Sequence, residues 1–298
     1  MAKTPIRASY PDDLLIARNG EGPAAARPST QRGTAIFANP LSQERPNGAE
    51  RPSGHCDGAV TVVLANGSVE TVLQPIVDLR TGRTVGAEAL SRFSEHPSRP
   101  PAVWFAEATS VGLGVELEVV ALRSALDQLS HVPSDLFLSL NASIETIISD
   151  GFHATFSDIP ADRIVLELTT EVHDDCTQLD VTIGDLRSHG LRLAASVGRS
   201  NLRHILNLRP DIIKLDPDLI RGIEGDHVRQ ALVSALLGLG TGIHNVSFIA
   251  QGIETDGEFE TLRALGCPFG QGFYLGRPGT LREHPPKHAV SGLLWLNE

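Results

Sequence analysis

The chain has 298 residues, 41% of them hydrophobic, enough for one large folded domain. Its formal charge of -11 argues against a nucleic-acid binder, which needs a basic surface to replace counterions. Cys56, Cys176 and Cys267 are odd in number and far apart, which excludes a disulfide framework or a metal-type pair, and no apolar run has the length of a membrane span or a signal core. A cytoplasmic location without membrane contact is the resulting expectation.

Residues 1–57 are rich in Arg, Pro, Gly, Ser and Asn and poor in aromatics. Such a segment buries too little to offset its chain entropy, so a mostly disordered tail is expected. From Ala59 on, short apolar runs alternate with amphipathic stretches. The predicted strands are Val72–Val77, Val85–Leu90, Leu136–Leu140, Ile164–Leu168, Leu191–Ala195, Ile212–Leu215, Val246–Ala250 and Phe269–Leu275. The predicted helices are Glu116–Leu129, Ile144–Phe156, Gln178–Ser188, Leu202–Leu208, Val228–Leu239 and Gly257–Leu265. Gly190 and Gly266 stand where helix stops belong.

This alternation implies an α/β fold, a largely parallel sheet covered by helices. Eight strands is the number that closes a barrel, with an open doubly wound sheet as the competitor. No Gly-x-Gly-x-x-Gly turn follows the first strand, which discounts dinucleotide binding. The folded domain is placed at 58–285, and 286–298 is read as a C-terminal extension.

Two of the runs carry polar groups where a buried strand prefers Val or Ile: Gln74 in the first, Glu88 and Arg92 in the second. A carboxylate there is costly unless a cation or several donors meet it. Strand ends in a barrel of this kind form the active rim. The ends of the other runs supply Asn141, Glu167, Ala195 with Ser196, Lys214, Gln251 and Gln271. Strands of a parallel barrel are normally apolar, so this many polar side chains on one rim points to a site.

Gln74-Pro75-Ile76, Glu88-Ala89-Leu90 with Arg92, Asn141-Ala142-Ser143, Glu167-Leu168-Thr169, Lys214-Leu215-Asp216, Gly252-Ile253-Glu254-Thr255 and Gln271-Gly272-Phe273 resemble, in this order, the motifs of EAL domains. The resemblance covers about residues 60–280. It implies a TIM-like (β/α)8 barrel whose first strand is antiparallel. Active EAL domains hydrolyse cyclic di-GMP to pGpG with Mg2+ or Mn2+, by two-metal chemistry. By resemblance, Glu88, Asn141 and Glu167 are metal ligands, Lys214 orients the water, Arg92 meets phosphate, and Gln74, Leu90 and Gln271 line the nucleotide.

The chain also departs from that pattern. Active members end the fifth strand in Asp-Asp-Phe-Gly, where this sequence has Ala195-Ser196-Val197-Gly198. Thr170 replaces a Glu of the fourth motif, and Gln251 replaces the first Glu of the seventh. Divalent ions are held by several anionic oxygens, and Glu88 with Glu167 and a neutral Asn is a poor cage for two of them. Glu171, Asp174 and Asp175 are the nearby acids able to compensate. The expectation is a degenerate EAL domain needing no cofactor, acting as a cyclic di-GMP sensor or a docking module for a protein partner, and within the family's range of homodimers. The alternative is an active phosphodiesterase with an unusual Mg2+ or Mn2+ site. For the sensor, the competing reading is that Arg92 and Lys214 merely neutralise Glu88 and Glu167.

Overall fold

The computed structural model describes residues 56–94, 99–169, 177–197, 208–242 and 246–280. Eight strands close into a barrel in sequence order: β1 (Val69–Asp78), β2 (Thr84–Phe93), β3 (Phe137–Ala142), β4 (Ile164–Leu168), β5 (Arg192–Val197), β6 (Ile212–Leu215), β7 (Ser247–Ala250) and β8 (Phe269–Gly270). β1 runs antiparallel to both β2 and β8, and the remaining neighbours are parallel. Val69 pairs with Phe93 and Gln74 with Glu88, so β1 begins level with the end of β2. The barrel and its reversed first strand agree with the sequence reading.

The helices are α1 (Cys56–Asn66), α2 (Pro101–Ser110), α3 (Gly114–Asp127), α4 (Ile144–Ile147), α5 (Asp150–Phe156), α6 (Thr177–Ser188), α7 (Pro217–Ile220), α8 (His227–Gly242) and α9 (Asp256–Ala264). Among the described residues, no helix is long and apolar enough to cross a membrane. The predicted helix 202–208 and the segments 1–55 and 286–298 lie outside the described residues, apart from Leu208.

Three local readings change. The folded domain, expected from residue 58 after a mostly disordered tail, is already under way at Cys56 and Asp57, which belong to α1, whose Val60 and Val63 are fully buried beside Trp104 and Leu117. The stretch 144–156 reads as one helix but forms two. Ser149 interrupts it: its hydroxyl donates to the Thr146 carbonyl at 2.6 Å and accepts the Phe152 N–H at 3.2 Å, capping α5. β8 stops at Gly270 rather than Leu275. Beyond it the chain turns, with Gly276 N–H bonded to the Gly272 carbonyl and Tyr274 N–H to the Ile253 carbonyl.

The core lies in two places. Between strands and helices, Leu138, Leu140, Ile147, Phe152, Ile164 and Leu166 pack in one large cluster. Inside the barrel, Ile76, Phe137, Val165, Ala194, Ile212 and Ile249 form an apolar floor. Gly86 makes room for that floor, because a Cβ there would lie 2.6 Å from the Phe137 ring. Trp104 is fully buried and stacks on Phe93 at 5.2 Å, as expected of a core aromatic. Burial pushes the Cys267 thiol up to about 12, so it is inert at neutral pH.

Gly272 shows how closely the turn after β8 is packed. An added Cβ would sit 2.1 Å from the Ile253 oxygen and 2.2 Å from its nitrogen, both backbone atoms. Gly272→Ala is expected to cost about 3 kcal/mol or more. In a barrel of this size that lowers Tm by roughly 6–12 °C in a thermal melt; a melt unchanged within about a degree refutes the packing.

Candidate functional site

The alternation of side chains along each strand turns Gln74, Glu88, Asn141, Glu167, Ser196, Lys214 and Gln271 inward above the apolar floor. Their register is consistent with this: Gln74 pairs with Glu88, Asn141 with Glu167, and Ser196 with Lys214. Lys214 is completely buried. Its Nζ lies 2.5 Å from Glu167 Oε2 and 3.6 Å from Glu88 Oε2. Asn141 Nδ2 donates to Glu88 Oε1 at 2.8 Å, and Gln271 Nε2 donates to Glu88 Oε2 at 2.7 Å. Ser196 Oγ donates to Glu167 Oε1 at 2.5 Å. Gln271 Nε2 also donates to Gln74 Oε1 at 3.0 Å, while Gln74 Nε2 reaches the Gly276 carbonyl at 3.0 Å.

Burial works against every charge in this cluster. It would raise the Glu88 carboxyl, but the Lys214 ammonium and the bonds from Asn141 and Gln271 outweigh it and hold the group below its ordinary 4.5. Burial would likewise lower Lys214, but Glu167 and Glu88 outweigh it and hold the ammonium above its ordinary 10.5. One cation thus serves two carboxylates.

The structure does not bring every predicted site residue into this cluster. Arg92 is half-buried on β2, and its Nη1 donates to the Ser91 carbonyl at 2.8 Å. Among the described residues no carboxylate lies within ion-pair distance of it. Leu90 is half-buried two positions before it. Ala195 is buried but faces the helix layer, since it pairs with Ile213, which packs there. Gln251 follows β7, where its N–H bonds to the Leu215 carbonyl, and its side chain is half-buried outside the network. Glu254 is exposed, 4.0 Å from Arg221. The contribution of Ser196 escapes a reading that counts only a lost aspartate; its position one residue beyond Ala195 turns it inward as a donor.

A pair of divalent ions needs several anionic oxygens. Among the described residues the polar layer inside the barrel offers Glu88 and Glu167, each already met by Lys214, while Asp216 at the end of β6 caps the helix that follows; no group of three His, Cys, Asp or Glu side chains is placed to hold a metal. Where the family has its aspartate pair, one side chain faces away and the other donates a hydrogen bond to Glu167. The described donor set therefore does not fit a two-ion cluster. Glu171, Asp174, Asp175 and residues 198–207 lie outside the described residues. A cleft of about 500 Å³ lined by Val85, Phe137, Ile212, Phe269, Arg192 and Asp211 opens at the opposite end, where the strands begin.

The two pKa directions define a window. Glu88 titrates below its unfolded value, so its contribution is full above about pH 4.5 and is lost as pH falls through the folded value. Lys214 titrates above its unfolded value, so its contribution is full below about pH 10.5 and is lost above it. Lys214→Met leaves two buried carboxylates without their cation and is expected to cost about 3–5 kcal/mol at pH 8. The deficit shrinks at pH 5, because the Glu88 carboxyl, which burial raises once Lys214 is gone, takes up a proton. Thermal melts at both pH values check this, and an equal deficit at the two contradicts it.

The EAL domain family model matches residues 58–278. The Mycobacterium tuberculosis protein Rv1354c is 28% identical over 290 residues, covering 90% of this chain and 45% of that protein. A Pseudomonas aeruginosa protein named cyclic di-GMP phosphodiesterase PA2567 is 31% identical over 225 residues, covering 70% of this chain and 38% of that protein. The chain thus spans less than half the length of these relatives. The crystal structure of the Xanthomonas citri FimX EAL domain in complex with c-diGMP superposes with a TM-score of 0.68 at 14% identity, covering 77% of this chain and 95% of that one, a likeness of fold. With the motifs in order, the barrel closed around them and the family model spanning the folded part, this chain belongs to the EAL domain family.

Proposed function

We propose that the domain is a metal-independent receptor for cyclic di-GMP in bacterial signalling and does not hydrolyse it. The observation that carries this reading is the unequal fate of the two cations. Lys214 is committed to Glu88 and Glu167, whereas Arg92 has no carboxylate partner among the described residues. A guanidinium stays charged even when half-desolvated, and it meets a phosphate through two parallel bonds without a metal. This favours the receptor over the reading in which both cations merely neutralise the acids.

The other groups have roles in the same binding event. Gln271 Oε1 is buried and has no hydrogen-bond partner among the described residues, an acceptor suited to a base edge. Gln74 lies beside it, and Leu90 supplies apolar contact next to Arg92. Hydrolysis lacks its means in this arrangement. Lys214 holds its proton firmly between two acids, and Gln251 carries no charge with which to act as a base. A water that no metal activates keeps its bulk pKa, which leaves the barrier high.

The likeness to PA2567 supports the alternative, a phosphodiesterase with an unusual Mg2+ or Mn2+ site. That enzyme would need anions from Glu171, Asp174 or Asp175. A docking module for a protein partner, alone or as a homodimer, is the third reading.

Calorimetry with cyclic di-GMP in EDTA is expected to show micromolar binding. Arg92→Ala should weaken it by roughly ten-fold or more, the worth of a charged hydrogen bond. No binding at high micromolar ligand would favour the docking module. Turnover to pGpG in Mn2+ that disappears in Glu88→Ala would establish the phosphodiesterase instead.

A further inference from the structure

One half-buried carboxylate on α3 has no part in the cluster on the rim. Glu118 lies on α3, outside the barrel wall, and its Oε2 accepts both the backbone N–H and the hydroxyl of Ser143, each at 2.8 Å. Ser143 is two residues past Asn141 and caps α4, its Oγ accepting the Thr146 N–H at 3.3 Å. The residue between them, Ala142, accepts the N–H of Thr169, just beyond β4, at 3.1 Å. The end of β3 is therefore tied from outside by Glu118 and from the side by the strand that carries Glu167.

Glu118 has no cation within ion-pair distance among the described residues. Burial raises its carboxyl above the ordinary value, and the bonds from Ser143 and Thr146 bring it back only in part. A carboxylate is an expensive way merely to fasten a helix to a loop. What it provides over a neutral acceptor is a short, stiff pair of charge-assisted bonds converging on one oxygen. The same helix braces the neighbouring strand, since Leu117 and Ala121 pack with Phe93, next to Arg92.

We propose that Glu118 is a positioning residue for the binding site: through Ser143 it fixes the height at which β3 ends, and so the reach of Asn141 to Glu88. Its effect on ligand affinity rests on the receptor reading above; its effect on Asn141 does not.

The test uses the full chain with Glu118→Ala, Glu118→Gln and Ser143→Ala. The side-chain amide of Asn141 is identified in 15N-resolved NMR spectra by its loss in Asn141→Asp. In Glu118→Ala this signal should shift or broaden, and in Glu118→Gln, whose oxygen can accept the same two bonds, it should stay near its wild-type position. Ser143→Ala removes the hydroxyl arm, and with it the cap on α4, but keeps the backbone bond to Glu118, and should give a smaller shift, which keeps the test open if Glu118→Ala fails to fold. The Kd for cyclic di-GMP should rise about five-fold in Glu118→Ala, the worth of one hydrogen bond, and remain within about two-fold in Glu118→Gln. An Asn141 signal that stays put in Glu118→Ala or Ser143→Ala while Tm falls overturns the proposal, leaving Glu118 a purely structural contact. A shifted signal in a protein that never binds the nucleotide upholds the positioning and refutes the receptor.

Discussion

The arrangement depends on one ammonium shared by two carboxylates inside a closed barrel. Below it lies an apolar floor of Ile76, Phe137, Val165, Ala194, Ile212 and Ile249, where an unmet charge would be very costly. Lys214 meets both Glu88 and Glu167, and the rest of the polar layer follows from that. With Glu88 held, Asn141 and Gln271 have a fixed acceptor, and Gln271 in turn orients Gln74. The chain of amides joins β1, β2, β3 and β8, so it also secures the seam where the reversed strand meets the parallel ones.

Much of this was legible in the residues. Glu88 inside an apolar run required a counter-charge, and the order of polar strand ends supplied one. The parts that were not legible depend on direction rather than identity. Ala195 and Ser196 look like equal losses in the sequence, yet the pleat sends one to the helix layer and keeps the other beside Glu167 as a donor. Gln251 lies just beyond β7 and, unlike Gln271 just beyond β8, makes no side-chain hydrogen bond to the polar layer among the described residues. Arg92 could have paired with an acid as readily as Lys214 did; only the folded register separates them. The split of 144–156 turns on one serine, whose hydrogen bonds compete with a helix that its apolar neighbours would continue.

A barrel can keep its shape while its rim changes charge, because the two requirements fall on different faces of the same strands. Alanine at 195 suits the packed exterior and serine at 196 suits a polar interior. Neither disturbs Leu193 or Ala194 in the layers below. Positions 195 and 196 can thus differ in chemistry without disturbing the layers below, while the buried Lys214–Glu88–Glu167 cluster cannot lose a charge without a cost in folding, so sharing the architecture says little about turnover.

The reversal of β1 has a consequence for wiring. In an all-parallel barrel the polypeptide comes in at the floor, a full strand length from the loops that meet a ligand. Here Glu70 stands opposite Arg92, so the incoming chain arrives at the doorway itself. A tug on the upstream connection would bear first on β1, whose leading end lies directly beside the guanidinium-bearing end of β2, with no need for a relay through the barrel's interior.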